Sequence, residues 1–403
     1  MRAAGYEALW AGGCVRDQLL GVDPKDYDVA TNATPQQVID LFGKRRTVPV
    51  GVSFGVVMVL GPNKACGQVE VATFRADGQY LDGRRPSEVT FCSAEEDAKR
   101  RDFTINGMFY DPVADRVLDY VGGRKDLEAG IIRAIGDATA RYTEDKLRTL
   151  RAVRFSATYD FQLEDSTAAA IRTLRADLKQ VSAERIAQEL RRMLAHSSRA
   201  VSVRNLHDVG LLEVIFPSLF ESGFDPTLLD SICQILDALQ EARFEPSLVV
   251  LLSSLYDAEP EMSDRRTAGI RAECRKLKLS NEETSCIAWL ADNAVIFQRA
   301  GELPLHVIKP LLADARRLLL LDVLQAGANE EAVAAARSLN DYLTKTSAEV
   351  LNPPPLIDGE DLMRENVEPG PEFKRILTTI RQEQLDELLH DHESAMQRAR
   401  ELL

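Results

Sequence analysis

The sequence lacks any C-x-x-C pair. Its six cysteines, Cys14, Cys66, Cys92, Cys233, Cys274 and Cys286, stand apart. That spacing argues against a zinc ribbon or a disulfide framework and fits a reducing compartment, so a cytoplasmic location is expected. Histidine is scarce and scattered, five residues in 403. His207-Asp208 and His390-Asp391 are isolated dipeptides, whereas a metal site needs several converging ligands. No stretch reaches the about 18 uncharged apolar residues of a membrane helix. Leu248–Leu252 and Leu318–Leu321 are short and lie near charge. Met1–Trp10 carries no long apolar segment of the secretory kind. Aromatics are only 6%, while Leu and Ala dominate the second half, as in helical proteins.

What is there is unevenly spread. The net charge is −14. Residues 1–135 carry −2 and residues 136–216 carry +2, so nearly all the excess acid lies in 217–403. Overall acidity therefore does not exclude a polyanionic partner, and it places a phosphate-binding surface in the first 216 residues. Short Val-rich runs bounded by Gly, Pro, Asn or Asp read as strands: Ala8–Ala11, Asp26–Ala30, Val48–Val50, Gly55–Leu60, Val69–Phe74 and Val117–Tyr120. Pro35–Phe42 reads as a helix between Thr34 and Gly43. After Gly136 a 3.6-residue period takes over, with helices expected at Asp145–Phe155, Ser166–Leu178 and Ala183–Ala195. Later joints fall near Ala258–Ser263, Gly301–Pro304 and Asn352–Pro355. The expected organisation is α+β: a mixed-sheet head over 1–135, a helical neck over 136–216, and a helical body and tail over 217–403.

Four segments could carry chemistry. Asp26-Tyr27-Asp28 would put two carboxylates on one side of a strand, where their repulsion invites a hard cation such as Mg²⁺. The same residues could equally form a solvated turn after Pro24. Glu70 could supply a third carboxylate or be an exposed strand residue. Gly12-Gly13-Cys14-Val15-Arg16-Asp17 follows a strand and opens an apolar helical stretch. Its glycines permit close approach of an anion, and Arg16 adds a forked donor. An ordinary strand–helix joint would look similar, and neither a P-loop nor a dinucleotide fingerprint is present. Lys99-Arg100-Arg101-Asp102-Phe103-Thr104-Ile105-Asn106 suits a polyanion or a solvated charge run. Glu144-Asp145-Lys146-Leu147-Arg148 leads into Arg151 and Arg154. On one helix, Asp145, Arg148, Arg151 and Arg154 would form a polar stripe beside an apolar one of Leu147, Leu150 and Val153.

In this order the four segments resemble the class II tRNA nucleotidyltransferase and bacterial poly(A) polymerase family. The likeness rests on G-G-x-V-R-D, D-x-D, R-R-D-F-T-I-N, and E-D-x-x-R followed by L-R-A-x-R-F, and runs from Tyr6 to Pro217. It weakly returns at Leu356–Leu377, where Gly370-Pro371-Glu372-Phe373 resembles a tail segment. The resemblance implies a polymerase-β-like head, then helical neck, body and tail. It implies untemplated transfer of a nucleotide from CTP or ATP to an RNA 3′ end, that of tRNA above all. By the same resemblance Asp26 and Asp28 would hold Mg²⁺, with Glu70 as a further catalytic carboxylate. Gly12, Gly13, Arg16, Arg101 and Asn106 would bind the nucleotide, and Asp102 would contact the ribose 2′-hydroxyl. Asp145 and Arg148 would read cytosine and adenine, with Glu144 orienting them. Arg151 and Arg154 would face phosphates or support that helix, and Arg191 and Arg192 would meet RNA.

Two departures stand out. Gly107 replaces a common Ala, and relatives usually have a longer helix before the Gly-Gly turn. An extended N-terminus would then be more stable. The compact segment with Asp82-Gly83-Arg84-Arg85-Pro86 resembles tRNA-maturing members more than the longer insert of some poly(A) polymerases, with A-only or CC-only addition further options. A small-molecule nucleotidyltransferase would not need the long helical second half. A non-catalytic RNA scaffold would be expected to lose Asp26 or Asp28.

Overall fold

A computed structural model describes residues 1–63, 66–78, 89–221, 224–253, 263–298, 303–327 and 329–403. The Asp82–Pro86 segment lies outside them. The chain divides into two compact units, Met1–Gly223 and Phe224–Leu403. The sequence-derived divisions at residues 135 and 216 both fall inside the first unit. Among the described residues no helix is long and apolar enough to cross a membrane.

The first unit begins with a mixed sheet. Its strands are β1 Leu9–Ala11, β2 Asp28–Thr31, β3 Thr47–Gly51, β4 Val56–Leu60, β5 Gln68–Thr73, β8 Phe109–Asp111 and β9 Arg116–Leu118. A separate two-stranded ribbon, β6 Arg75–Asp77 with β7 Val89–Phe91, lies between β5 and β8 in sequence. The order across the main sheet is β3-β4-β5-β2-β1-β8-β9. Only β2 and β5 pair in parallel there, and their register sets Asp28 opposite Glu70.

Strand alternation gives the sheet two apolar faces. On one, Val57, Val59 and Val71 pack with Ala33 and with Val38 of α2, Pro35–Phe42. That helix starts where the sequence indicated. Thr34 accepts from the Gln37 N–H while the Gln37 side chain accepts from the Thr34 N–H, a reciprocal capping box. On the other face Leu9, Ala11, Ala30 and Phe109 pack with Ala94 and Ala98 of α3, Ala94–Lys99. Asp28 and Glu70 lie on this second face, beyond the part α3 covers.

Helices follow: α1 Gly13–Leu19 after β1, α4 Gly123–Ala129, α5 Ala138–Glu144, α6 Leu147–Tyr159, α7 Asp165–Leu174 and α8 Ala183–Leu194. Leu147, Leu150 and Val153 are buried, as the apolar stripe requires. The helix expected from Asp145 is interrupted, however. Asp145 is extended (φ −138°, ψ 104°), and its carboxylate accepts from the Leu147 N–H. Asp145 therefore sits in the joint between α5 and α6, and the polar stripe on α6 is Arg148, Arg151 and Arg154. The strand expected from Asp26 likewise opens two residues later, at Asp28.

The second unit is helical in its described residues. Its C-terminal core joins Ile357, Leu362, Ile376, Ile380, Ala395 and Met396. Pro353-Pro354-Pro355 stands between two helices and belongs to neither.

Candidate active site

The first unit holds a cleft of about 830 Å³. It brings together Gly12, Gly13, Arg16, Asp28, Glu70, Arg101, Asp102, Asn106, Asp145, Arg148, Arg151 and Arg154. These residues come from all four segments singled out in the sequence. Asp26, Glu144, Arg191 and Arg192 do not line it. Seven arginines and four carboxylates form its charged wall, so a strongly cationic cleft sits in an acidic chain.

The glycine turn is tight. Gly12 has φ +72° and ψ −125°, a backbone closed to side-chain-bearing residues. A Cβ there would stand 2.9 Å from Nη1 of Arg101. Arg16 is buried. It donates to Asn106 Oδ1 at 2.5 Å, pairs with Asp17 at 2.8 Å, and lies 4.5 Å over the Tyr159 ring.

The carboxylates form an electrostatically strained group. Removal from water raises the Asp28 pKa; Arg101 opposes this and Asp26 adds to it. Removal from water and Asp28 raise Glu70, with Arg75 opposing. Asp26 thus acts on the cleft through Asp28 without lining it. Among the described residues no three His, Cys, Asp or Glu side chains form a metal cage. The oxygen donors of Asp28, partly desolvated and repelled by Asp26, nevertheless fit, with those of Asp26, a hard divalent cation whose shell a phosphate completes.

Opposite them, Asp102 is held by Arg151 through two donors of the guanidinium. It also accepts from Asn106 Nδ2 at 3.1 Å and from the Phe103 N–H at 2.9 Å. These outweigh the cost of burial and lower its pKa to about 2. Glu144 lies just outside the cleft, where its Oε2 accepts from Arg148 at 2.9 Å and from Arg141. Arg148 also donates to the Arg141 carbonyl at 3.1 Å. Arg154 donates to buried Glu189 at 2.6 Å. Arg192 pairs with the same Glu189 at 2.9 Å from the exposed side of α8. Arg191 is half-buried on that helix.

Several partners were not anticipated. Arg185 of α8 donates to both Asp145 oxygens, at 3.1 and 3.2 Å. Arg75 and Arg100 line the cleft, and buried Asp97 anchors both Arg100 and Arg101. Arg100 stood in the recognised basic run and could have been chosen with Arg101. Arg185 carried no local signal.

Comparison with known proteins bears on this constellation. A poly A polymerase head domain model matches residues 8–133, and a model described as a probable RNA and SrmB-binding site of polymerase A matches 160–222. A CCA-adding enzyme of Lactococcus lactis subsp. lactis is 32% identical over 397 residues, spanning 97% of this chain and 92% of that one. The chain belongs to the CCA-adding enzyme family. Membership makes it a nucleotidyltransferase, of a family that generally uses divalent metal ions. A family member from Oceanobacillus iheyensis is 39% identical, but that match spans 54% of this chain and about half, 53%, of the relative. The solved CCA-adding enzyme of Bacillus stearothermophilus in complex with CTP superposes with a TM-score of 0.76 at 27% identity. It covers 99% of this chain and 95% of the other. The mixed-sheet head with a helical remainder is therefore the family fold, as the resemblance implied.

Proposed function

We propose that this chain completes or repairs the 3′ end of tRNA by adding CMP and AMP from CTP and ATP, without a template. The observation that carries the reading is the meeting of Asp28 and Glu70 with Asp145 and Arg148 in one cationic cleft. Similarity to a CCA-adding enzyme over nearly the whole chain supports it. The division into head, neck, and body with tail at residues 135 and 216 is part of the proposal.

In the reaction the RNA 3′-oxygen forms a bond to the α-phosphorus, the α–β phosphoanhydride breaks, and pyrophosphate leaves. Asp26 and Asp28 would hold Mg²⁺, which when bound supplies charge neutralisation at the phosphates and acidifies the attacking hydroxyl. Gly12 and Gly13 let the triphosphate approach the backbone, and Arg16 and Arg101 face its charge. Glu70, whose proton affinity is raised, is placed to take the hydroxyl proton. Asp102, ionised at neutral pH, accepts from the ribose 2′-hydroxyl. Asn106 steadies Arg16 and Asp102 together.

Base choice falls to the α5–α6 joint. Asp145 can only accept and Arg148 can only donate. Cytosine and adenine each offer an amine beside an acceptor ring nitrogen. Uracil and guanine offer the reverse and leave buried polar groups unpaired, at roughly 1–3 kcal/mol each. Glu144 holds Arg148 for that contact. Arg151 and Arg154 back the pair by their ties to Asp102 and Glu189. Arg191 and Arg192, outside the cleft, are assigned to the RNA body.

A second reading has a specific basis: a poly(A) polymerase I of Haemophilus influenzae is 38% identical over 231 residues. Labelled CTP and ATP, separately and together, with transcripts ending before CCA, before A, and complete, decide between them. Two C additions and a single A are expected. A long ATP ladder with little CTP use would make it a poly(A) polymerase. One A only, or two Cs only, would mean a partial enzyme.

A further inference from the structure

We propose that the end of β3 and the turn from it to β4 seat the 3′-terminal nucleotide of the acceptor RNA, with its sugar or base on Val50 and Phe54 and its phosphate toward Arg75. The inference rests on the nucleotidyl-transfer reading and adds the acceptor's side of the cleft.

Displacement at phosphorus keeps the attacking and leaving oxygens roughly in line, on opposite sides of the α-phosphate. The sheet order then orients the reaction. Gly12 and Gly13 follow β1, Asp28 opens β2, and Glu70 lies on β5. With the triphosphate at the glycine turn, pyrophosphate departs on the β1 side. The attacking hydroxyl must arrive from the other side, over β5, β4 and β3.

On that side the lining of the cleft changes character. The cationic wall gives way to Val50, Gly51, Ser53, Phe54, Val56 and Ala72. Val50 is 62% exposed and the adjacent Val52 42%. An exposed apolar side chain in a cleft wall offers a ligand a surface to bury. The backbone is built to present them. Val48 pairs with Met58 and Gly51 with Val56, so β3 carries one extra residue, a bulge around Pro49 and Val50. A bulge re-aims a side chain, and proline is tolerated at such an edge.

Arg75 follows β5 and donates to the Phe54 carbonyl, which ties the cation to the apolar turn. It lines the same cleft and acts on Glu70. Apolar side chains next to an arginine are what a single-stranded nucleic acid end requires, a surface for the base or sugar and a charge for its phosphate. The free nucleotide, held at the α5–α6 joint, does not need this wall.

Val50→Glu tests the assignment, since it replaces the apolar surface under the acceptor's sugar or base with a carboxylate that repels the strand's phosphates. Being exposed, residue 50 tolerates the change. The KM for a tRNA transcript ending before CCA should rise about tenfold or more, while CTP binding without RNA stays at the wild-type value. Val50→Lys also removes the apolar surface but offers the acceptor phosphates an opposite charge, so it should raise that KM clearly less than Val50→Glu does. An unchanged KM for RNA in Val50→Glu, or CTP binding weakened by the same factor, overturns the proposal. If the wild-type chain extends no transcript with CTP or ATP, the transfer reading itself has failed; if it extends them and the variants behave alike, only the acceptor seat has.

Discussion

Replacing Asp102 by Asn removes one charge from the centre of the cleft and tests its electrostatics directly. The carboxylate is nearly buried, 10% exposed, and bound by Arg151, Asn106 and the Phe103 N–H. Its pKa falls from the ordinary 3.8 to about 2. At about 1.4 kcal/mol per tenfold change in proton affinity, that gap is worth about 2 kcal/mol of stability near neutrality. Because the native value lies below the unfolded one, the stabilisation is complete above about pH 5 and is lost as pH falls toward 2. Asp102→Asn should therefore lower the melting midpoint of the first unit by about 4–8 °C at pH 7. The gap between wild type and variant should close as pH drops from 4 to 2. Calorimetry at pH 7, 4 and 3 reads this out. An unchanged midpoint at pH 7, or a gap that persists undiminished into acid, would refute the reasoning. The same variant should admit dCTP more readily, which incorporation assays with ribo- and deoxynucleotides would measure.

Three further changes probe other parts of the site. Asp28→Asn should abolish most transfer, by at least about a hundredfold, yet raise the melting temperature. The raised pKa of Asp28 means that its ionisation costs native stability as pH climbs through the carboxylate range, so the gain should vanish in acid. Gly12→Ala should cost about 1–3 kcal/mol through its backbone alone and raise the KM for CTP by displacing Arg101. Urea unfolding and initial rates check the two effects, and wild-type behaviour in both would contradict the turn geometry. Arg185→Met unties Asp145 and should lose discrimination against UTP about tenfold, with a smaller loss of kcat for CTP. Equal losses for both nucleotides would reduce Arg185 to a purely structural role.

Local signals made much of this legible. Thr34-Pro35 and Gly43 bracket α2 because a cap and a terminator act within a few residues. Asp28 and Glu70 were chosen from two Val-rich strands, and register alone brought them opposite. The break at Asp145 escaped because Leu147, Leu150 and Val153 keep helical spacing whether or not the helix begins before them. The strand Phe109–Asp111 is three residues long and exists because β1 and β9 flank it, a fact no window of sequence contains. Arg185 and Glu189 lie some forty residues beyond the side chains they hold, and nothing local announces such a partner.

That last separation bears on how the chain is made. Synthesis runs at about 5–20 residues per second, so Arg185 emerges about 2–8 seconds after Asp145. Over that interval the sheet, with Asp28 and Glu70 already paired, can be complete while the joint proposed to read the base has no clamp. A nascent chain could then hold a triphosphate before it can tell one base from another. Selectivity would be the last property of the cleft to mature.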